Sequence, residues 1–259
     1  MDRRVTVIVP TTGTKDLARA IASVQRQTRP CSLVVVCDGP EYKDRVLAVH
    51  SDAVVLPWNV GGGPPGTRLL GHPMYAAMPF LCKTEYVAFL DEDNWYDPDH
   101  IERLLAACES DDRPWAFSLR KIWVDDAFYC VDMCESLGNL RKCFDRDEYL
   151  VDTSCFLVRR DVAMTIGSTW MHPHADRPVT EYLLQAFPNA GCSFRATMNY
   201  AFQRQNDRGQ RPEYFLFGNE LVSCHGPRES IDGPHDVLDL VAVHGRNDHR
   251  GNDRSGDFE

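Results

Sequence analysis

The residues best suited to chemistry in this chain are three adjacent carboxylates, Asp91, Glu92 and Asp93, set directly after five apolar residues, Tyr86-Val87-Ala88-Phe89-Leu90. Three negative charges side by side at the mouth of a buried strand repel one another. A hard divalent cation that shares phosphate oxygens is the usual relief. Acidic triplets also occur in surface turns, so the context decides between the two readings. Here the apolar run has the length of a strand buried on both faces. After the triplet, Asp97 is placed to cap a helix, Pro98 to fill its first position, and Ile101, Leu104, Leu105 and Cys108 to form its apolar face. The triplet is therefore expected between two rigid elements.

The chain has 259 residues, enough for one large domain or two small ones, with 43% hydrophobic and 25% charged residues. No apolar run approaches the roughly 20 residues that span a bilayer. The stretch between Arg4 and Pro10 is too short for the apolar region of a signal peptide. A cytoplasmic protein that begins with its first strand is expected. The formal net charge of −10, with no basic cluster, argues against nucleic acid and against anionic membranes as partners. The 10 cysteines contain no C-x-x-C pair and lie largely in or beside apolar segments, the pattern of reduced structural thiols.

In chain order, apolar periodicity predicts a strand over 5–9 and a helix over 16–27 with Leu17, Ala20, Ile21 and Val24 inward. A strand over 33–36, a helix over 42–50, a strand over 53–56, a helix over 69–82 and the strand over 86–90 follow. Such alternation gives an α/β fold with a mostly parallel sheet covered on both faces. In open parallel sheets ligands bind beyond the carboxyl ends of the strands. The polar punctuation falls there each time: Pro10-Thr11-Thr12, then Asp38, Asn59 and Asp91.

These segments resemble a family 2-type glycosyltransferase with the GT-A fold. V-T-V-I-V-P-T-T with the helix ending S-V-Q-R-Q-T resembles that family's first strand and helix. V-V-V-C-D-G-P resembles its second strand and nucleotide-contacting aspartate. N-V-G-G-G-P-P-G-T-R resembles its asparagine–glycine–arginine segment, and L-D-E-D-N-W-Y-D-P-D its D-x-D motif. The match covers about residues 4–110. The resemblance implies a nucleotide-sugar donor, UDP-linked by preference, and a hydroxyl acceptor. It also implies Mn²⁺ or Mg²⁺ held by Asp93, with Asp91 or Glu92 assisting. Pro10, Thr11 and Thr12 would then wrap the nucleoside, Asp38 would bond the base, and Asp91 would face the ribose. Asn59, Glu92 and Arg68 complete the expected donor contacts. Asp38 read alone is equally a turn residue, and Arg68 a surface arginine. The glycine-rich loop lacks the ending of a phosphate-binding P-loop and carries two prolines, so it is expected to shape the pocket wall.

The second half is expected to bind the acceptor, with residues 1–113 as the donor half, 114–226 as the acceptor half and 227–259 as a tail. Strands are expected over 115–119, 121–124 and 155–158, a helix near Asp161, and another with Val179, Leu183, Leu184 and Phe187 inward. In inverting members of the family, a carboxylate at the start of such a helix deprotonates the acceptor. Asp176 occupies that position; helix capping suits it equally well. Asp152 and Glu181 are the alternative bases. The family's Glu-Asp pair is here Ala175-Asp176. His172 and His174 beside Asp176 form a weak zinc-like spacing. Trp95 and Trp123 suit either a sugar face or the core. Asp132, Glu135 and the 134–138 segment carry no assigned chemistry. The polar tail is expected to be disordered alone, with His225 or His244 able to reach a metal once nucleotide binds.

Two rivals remain. A sugar-phosphate nucleotidylyltransferase shares the sheet, but its glycine-rich loop follows the first strand, whereas Gly66-Thr67-Arg68-Leu69 follows the third. A catalytically silent nucleotide-sugar or glycan binder would share every donor feature and lack turnover.

Overall fold

The computed structural model describes residues 3–64, 67–132, 149–204 and 212–216. Gly66, Glu135, the 134–138 segment, His225, His244 and the 227–259 tail lie outside the described residues. The central strand is β1 (Val5–Thr11), buried at every position. It pairs in parallel with β2 (Ser32–Cys37) on one side and β4 (Tyr86–Phe89) on the other. These runs are rich in β-branched residues and lack polar alternation because both of their faces are covered. Helix α1 (Leu17–Gln25) buries Leu17, Ala20, Ile21 and Val24 against them, the predicted face.

The remaining elements are α2 (Lys43–Val49), β3 (Val54–Val55), α3 (His72–Ala77), β5 (Trp95–Tyr96), α4 (His100–Glu109), β6 (Trp115–Val124), β7 (Ala127–Val131), β8 (Phe156–Arg159), α5 (Arg160–Ile166), α6 (Asp176–Ala186) and β9 (Ala190–Phe202). Among the described residues they build one nine-stranded sheet in the order β3-β2-β1-β4-β8-β6-β9-β5, with β7 paired to β6. The first four strands are parallel, β8 is antiparallel to both of its neighbours, and β6 and β9 are parallel again. The architecture is the expected α/β one. Among the described residues, no helix is long and apolar enough to cross a membrane. The described cysteines, among them Cys37, Cys108 and Cys155, are free thiols.

Several boundaries differ from the sequence reading, each for a physical reason. The two strands expected over 115–119 and 121–124 are one strand, β6. The apparent break, Arg120, is only 3% exposed. Its Nε donates to Asp132 Oδ2 at 2.7 Å and its Nη1 to Asp152 Oδ2, so the charge is paired inside the core. The helix expected over 69–82 shrinks to α3 and a 3-10 turn, Met78–Phe80. Leu70 at φ 53 keeps the chain out of the helix before it, and Pro79 has no N–H with which to extend it. Asp97 does not cap α4, which starts at His100. Its carboxylate instead accepts from Lys121 Nζ at 2.8 Å and Asn199 Nδ2 at 2.9 Å, joining α4 to β6 and β9. The third strand contracts from 53–56 to two residues. The strand expected over 155–158 is present as β8, shifted by one residue, with a 3-10 turn at Thr153–Cys155 before it.

His100, the first residue of α4, is fully buried, stacked on Tyr96 at 3.8 Å and bonded through Nδ1 to Thr197 Oγ1 at 2.8 Å. Burial pushes its pKa from 6.5 down to about 3. The unfolded chain takes up a proton below about pH 6.5 that the folded chain refuses. Stability therefore falls with pH below that point, by up to about 1.4 kcal/mol per pH unit. His100→Gln is expected to be less stable near neutrality. The gap to the parent should close by roughly 2 kcal/mol between about pH 7 and about pH 4.5, read by urea unfolding at each pH.

Candidate functional site

The carboxyl ends of β1, β2, β3 and β4 open onto a cleft of about 840 Å³. It is lined by Pro10, Thr11 and Thr12, by Asp38, Asn59 and Arg68, by Asp91, Glu92 and Asp93, and by Asp176. The expected donor-site residues and Asp176 thus line one cavity. Asp152, the second candidate base, lines it too, whereas Glu181 sits on an exposed part of α6, bonded by Gln185.

The three carboxylates of the triplet do different work. Glu92 is spent on the loop after β1: it accepts from Thr11 Oγ1 at 2.5 Å, Thr12 N at 3.0 Å, Thr12 Oγ1 at 3.0 Å and Thr14 N at 2.9 Å. Both of its oxygens hold Thr11–Thr14 in place, which is a different task from the metal assistance expected of it. Asp91 accepts from the buried Tyr75 hydroxyl at 2.8 Å, and its backbone N–H donates to Ser154 Oγ at 3.2 Å. Burial first, then the negative charges of Asp93 and Asp152, hold its pKa above the ordinary carboxylate range. Asp93 is raised as well, by desolvation first and Glu92 second. Its carboxylate accepts no hydrogen bond from another described residue, while its backbone carbonyl accepts from Arg19 Nη2 at 3.1 Å.

Asp38 is 4% exposed. Its two oxygens accept from Val60 N at 2.7 Å and Gly61 N at 3.0 Å, and Asn59 Nδ2 donates to its carbonyl at 3.1 Å. Asp38 thus fixes the loop after β3, and each of its oxygens, having accepted one bond, can accept another. The glycine at 61 is required: a Cβ there would stand 1.9 Å from the Leu70 carbonyl oxygen, to whose residue Gly61 is already bonded. Arg68, which lines the cleft, donates through Nε to Gly63 O at 2.9 Å.

On the opposite wall, Asp152 is held by Arg120 and accepts from Ser154 N at 2.9 Å, so it is committed to the core. Asp176 opens α6. Its Oδ1 accepts from Arg177 N at 3.1 Å, with Arg177 Nη1 4.0 Å away, and no side-chain cap forms at the helix start. His174 lines the cleft, but His172 Nδ1 is taken up accepting from His174 N at 3.0 Å. Among the described residues, no three His, Cys, Asp or Glu side chains converge as a metal cage. Trp95 and Trp123 pack on each other at 5.4 Å, and the Arg19 guanidinium covers Trp95 at 3.9 Å, so both serve packing.

The sequence reading missed His72 and Tyr75 on α3, and the cleft residues Tyr200, Phe202 and Gln203 at the end of β9. Nothing in H-P-M-Y-A-A marks it as part of a site. β9 was invisible because Phe194 at φ 50 breaks its alternation.

Glu92→Gln keeps the side chain's size but replaces one acceptor oxygen with a donor facing N–H and O–H groups. The substitution is expected to lower the unfolding free energy by about 1–3 kcal/mol, measured by urea denaturation. Hydrogen exchange at Thr12 and Thr14 should rise at the same time.

No protein-family model matches the sequence, and neither does any curated protein. The structure is similar to TarS of S. aureus. Against residues 1–349 of TarS in complex with UDP-GlcNAc, the TM-score is 0.55 at 14% identity, over 93% of this chain and 66% of that one. Against a longer TarS chain it is 0.50 at 14% identity, over 93% of this chain and 39% of that one. The chain thus spans just under two thirds of the shorter TarS chain and well under half of the longer. With its sheet order and the position of its cleft, the chain has the GT-A fold.

Proposed function

We propose that this protein is a metal-dependent glycosyltransferase that moves a sugar from a nucleotide-sugar donor, UDP-linked by preference, to a hydroxyl acceptor. The observation that carries the reading is the charge of the cleft. Among the described residues, seven carboxylates (Asp38, Glu41, Asp91, Glu92, Asp93, Asp152 and Asp176) line it beside one arginine, Arg68. A diphosphate is repelled by such a surface unless a divalent cation enters with it. The donor set is all oxygen, which suits Mg²⁺ or Mn²⁺. Asp93, whose carboxylate accepts no hydrogen bond from another described residue, and Asp91 would hold the ion, with diphosphate oxygens and water completing its coordination. The similarity in fold to a TarS chain solved with UDP-GlcNAc supports a nucleotide-sugar donor.

When bound, the ion would stabilise the charge that develops on the departing diphosphate. The residues of the chain do the rest. Thr11 and Thr12, fixed by Glu92, border the nucleoside, and Asp38 offers acceptor lone pairs to base N–H groups. Asp176 takes the proton from the acceptor hydroxyl, whose oxygen attacks the anomeric carbon on the face opposite the leaving diphosphate, giving inversion. Asp152 is the weaker choice for this step because Arg120 already holds it. Residues 1–113 serve the donor in this reading and 114–226 the acceptor.

Thermal unfolding with UDP, GDP and dTDP, each with and without Mn²⁺, tests the donor site. UDP with Mn²⁺ at about 100 times its Kd should add about 2.7 kcal/mol, a rise of roughly 5–10 °C, and UDP alone should add little. Asp93→Ala should remove the shift. Asp176→Asn should keep it while lowering UDP release from a UDP-sugar with acceptor about 10²-fold or more. A silent binder would show the shift without turnover. No shift with any diphosphate and metal would sink the reading.

A further inference from the structure

Helix α3 touches both walls of the cleft with one face. His72 and Tyr75 are three residues apart and so neighbour each other on the helix surface. Tyr75 donates its hydroxyl to Asp91 on the donor wall. His72 reaches the other wall, where its Nδ1 lies 2.7 Å from the carbonyl oxygen of His172. A carbonyl only accepts, so Nδ1 carries the hydrogen and the ring is held in one tautomer. Trp170, fully buried, packs on both rings, at 5.9 Å from His72 and 5.4 Å from Tyr75, and on Phe89 of β4 at 5.1 Å. The start of α3 has little room to move: a Cβ on Gly71 would come within 2.9 Å of the Pro10 ring at the end of β1.

The carbonyl that His72 grips belongs to the turn leading into α6. His174 N closes that turn on His172 Nδ1, and two residues later the chain reaches Asp176. We propose that His72 is a positioning residue: it fixes the 172–176 turn to the donor side of the molecule and so sets where the Asp176 carboxylate stands in the cleft. The part of this that concerns catalysis rests on the reading of Asp176 as the base. The bond joins a residue 9% exposed to the exposed His172, in a turn whose two ends, Trp170 and Ala175, are fully buried, so it holds the stretch that lies between them. Asparagine places an amide N–H close to the position of Nδ1–H, whereas leucine fills similar space and donates nothing.

The test compares the parent protein with His72→Leu and His72→Asn. Amide hydrogen exchange over 171–176 should rise roughly tenfold in His72→Leu and return to near the parent rate in His72→Asn, as expected for loss and recovery of one buried hydrogen bond. The Tm shift given by UDP with Mn²⁺ should be the same in all three. With UDP-GlcNAc as probe, kcat for UDP release should fall about tenfold in His72→Leu, with KM for the donor within about twofold, and recover in His72→Asn. If His72→Leu does not fold, the ¹H–¹⁵N spectrum of the imidazole in the parent protein decides: protonated Nδ1 upholds the bond, and an Nε2–H tautomer with bare Nδ1 overturns the proposal. Unchanged exchange and unchanged kcat in a folded His72→Leu also overturn it. A parent protein that releases no UDP from UDP-GlcNAc or any other UDP-sugar counts against the glycosyltransferase reading alone, since the exchange and tautomer arms need no turnover.

Discussion

Crowding of like charge in one cavity is the constraint on which the rest of this structure depends. Among the described residues, seven carboxylates line one cleft beside one arginine, and the folded chain has to keep them there. It does so with fixed donors. Backbone amides of Val60 and Gly61 hold Asp38, amides and hydroxyls of Thr11, Thr12 and Thr14 hold Glu92, Tyr75 holds part of Asp91, and Arg120 with Ser154 N holds Asp152. Hydrogen bonds to a carboxylate are about twice as strong as neutral ones, which lets a backbone turn substitute for a counterion. What is left over is uneven. Asp93 has no such donor from another described residue, and burial together with the charge of Glu92 holds its carboxyl above the ordinary range.

Arg120 shows how the demand reaches into the core. The guanidinium lies between Asp132 and Asp152 and under the rings of Tyr200 and Phe215, at 4.9 Å and 5.5 Å. Deleting one partner of a buried pair of this kind typically costs about 3–5 kcal/mol, because the other charges stay behind without compensation. The arrangement joins β6, the end of β7 and the turn before β8. One side chain therefore ties three elements on the Asp152 side of the cleft together.

Much of this was legible in the sequence where local pattern and tertiary role agree. The strands around β1 announce themselves as continuous apolar runs, the inward faces of α1 and α4 as helical spacing, and the cleft residues as polar breaks after strands. Legibility failed where a distant partner rewrites the local rule. Arg120 looks like a break in a strand until Asp132 and Asp152 are seen beside it. Asp97 looks like a helix cap until Lys121 and Asn199 claim its oxygens. Glu92 reads as one ligand in an acidic triplet, and only the fold brings Thr11–Thr14 close enough to occupy it. His72 and Tyr75 carry no local signal because their significance comes from residues 100 and 16 positions away. β9 was missed because its left-handed residue, Phe194, destroys the period-2 pattern that reveals other strands.

The strand path of the sheet ends in β3 on one side and β5 on the other, and each is two residues long. An exposed strand edge offers its unpaired N–H and C=O groups to any extended chain that approaches, and the offer grows with its length. Two-residue terminal strands present almost none of that template. Among the described residues, the sheet that supports the cleft thus presents little of that template at either end of its path.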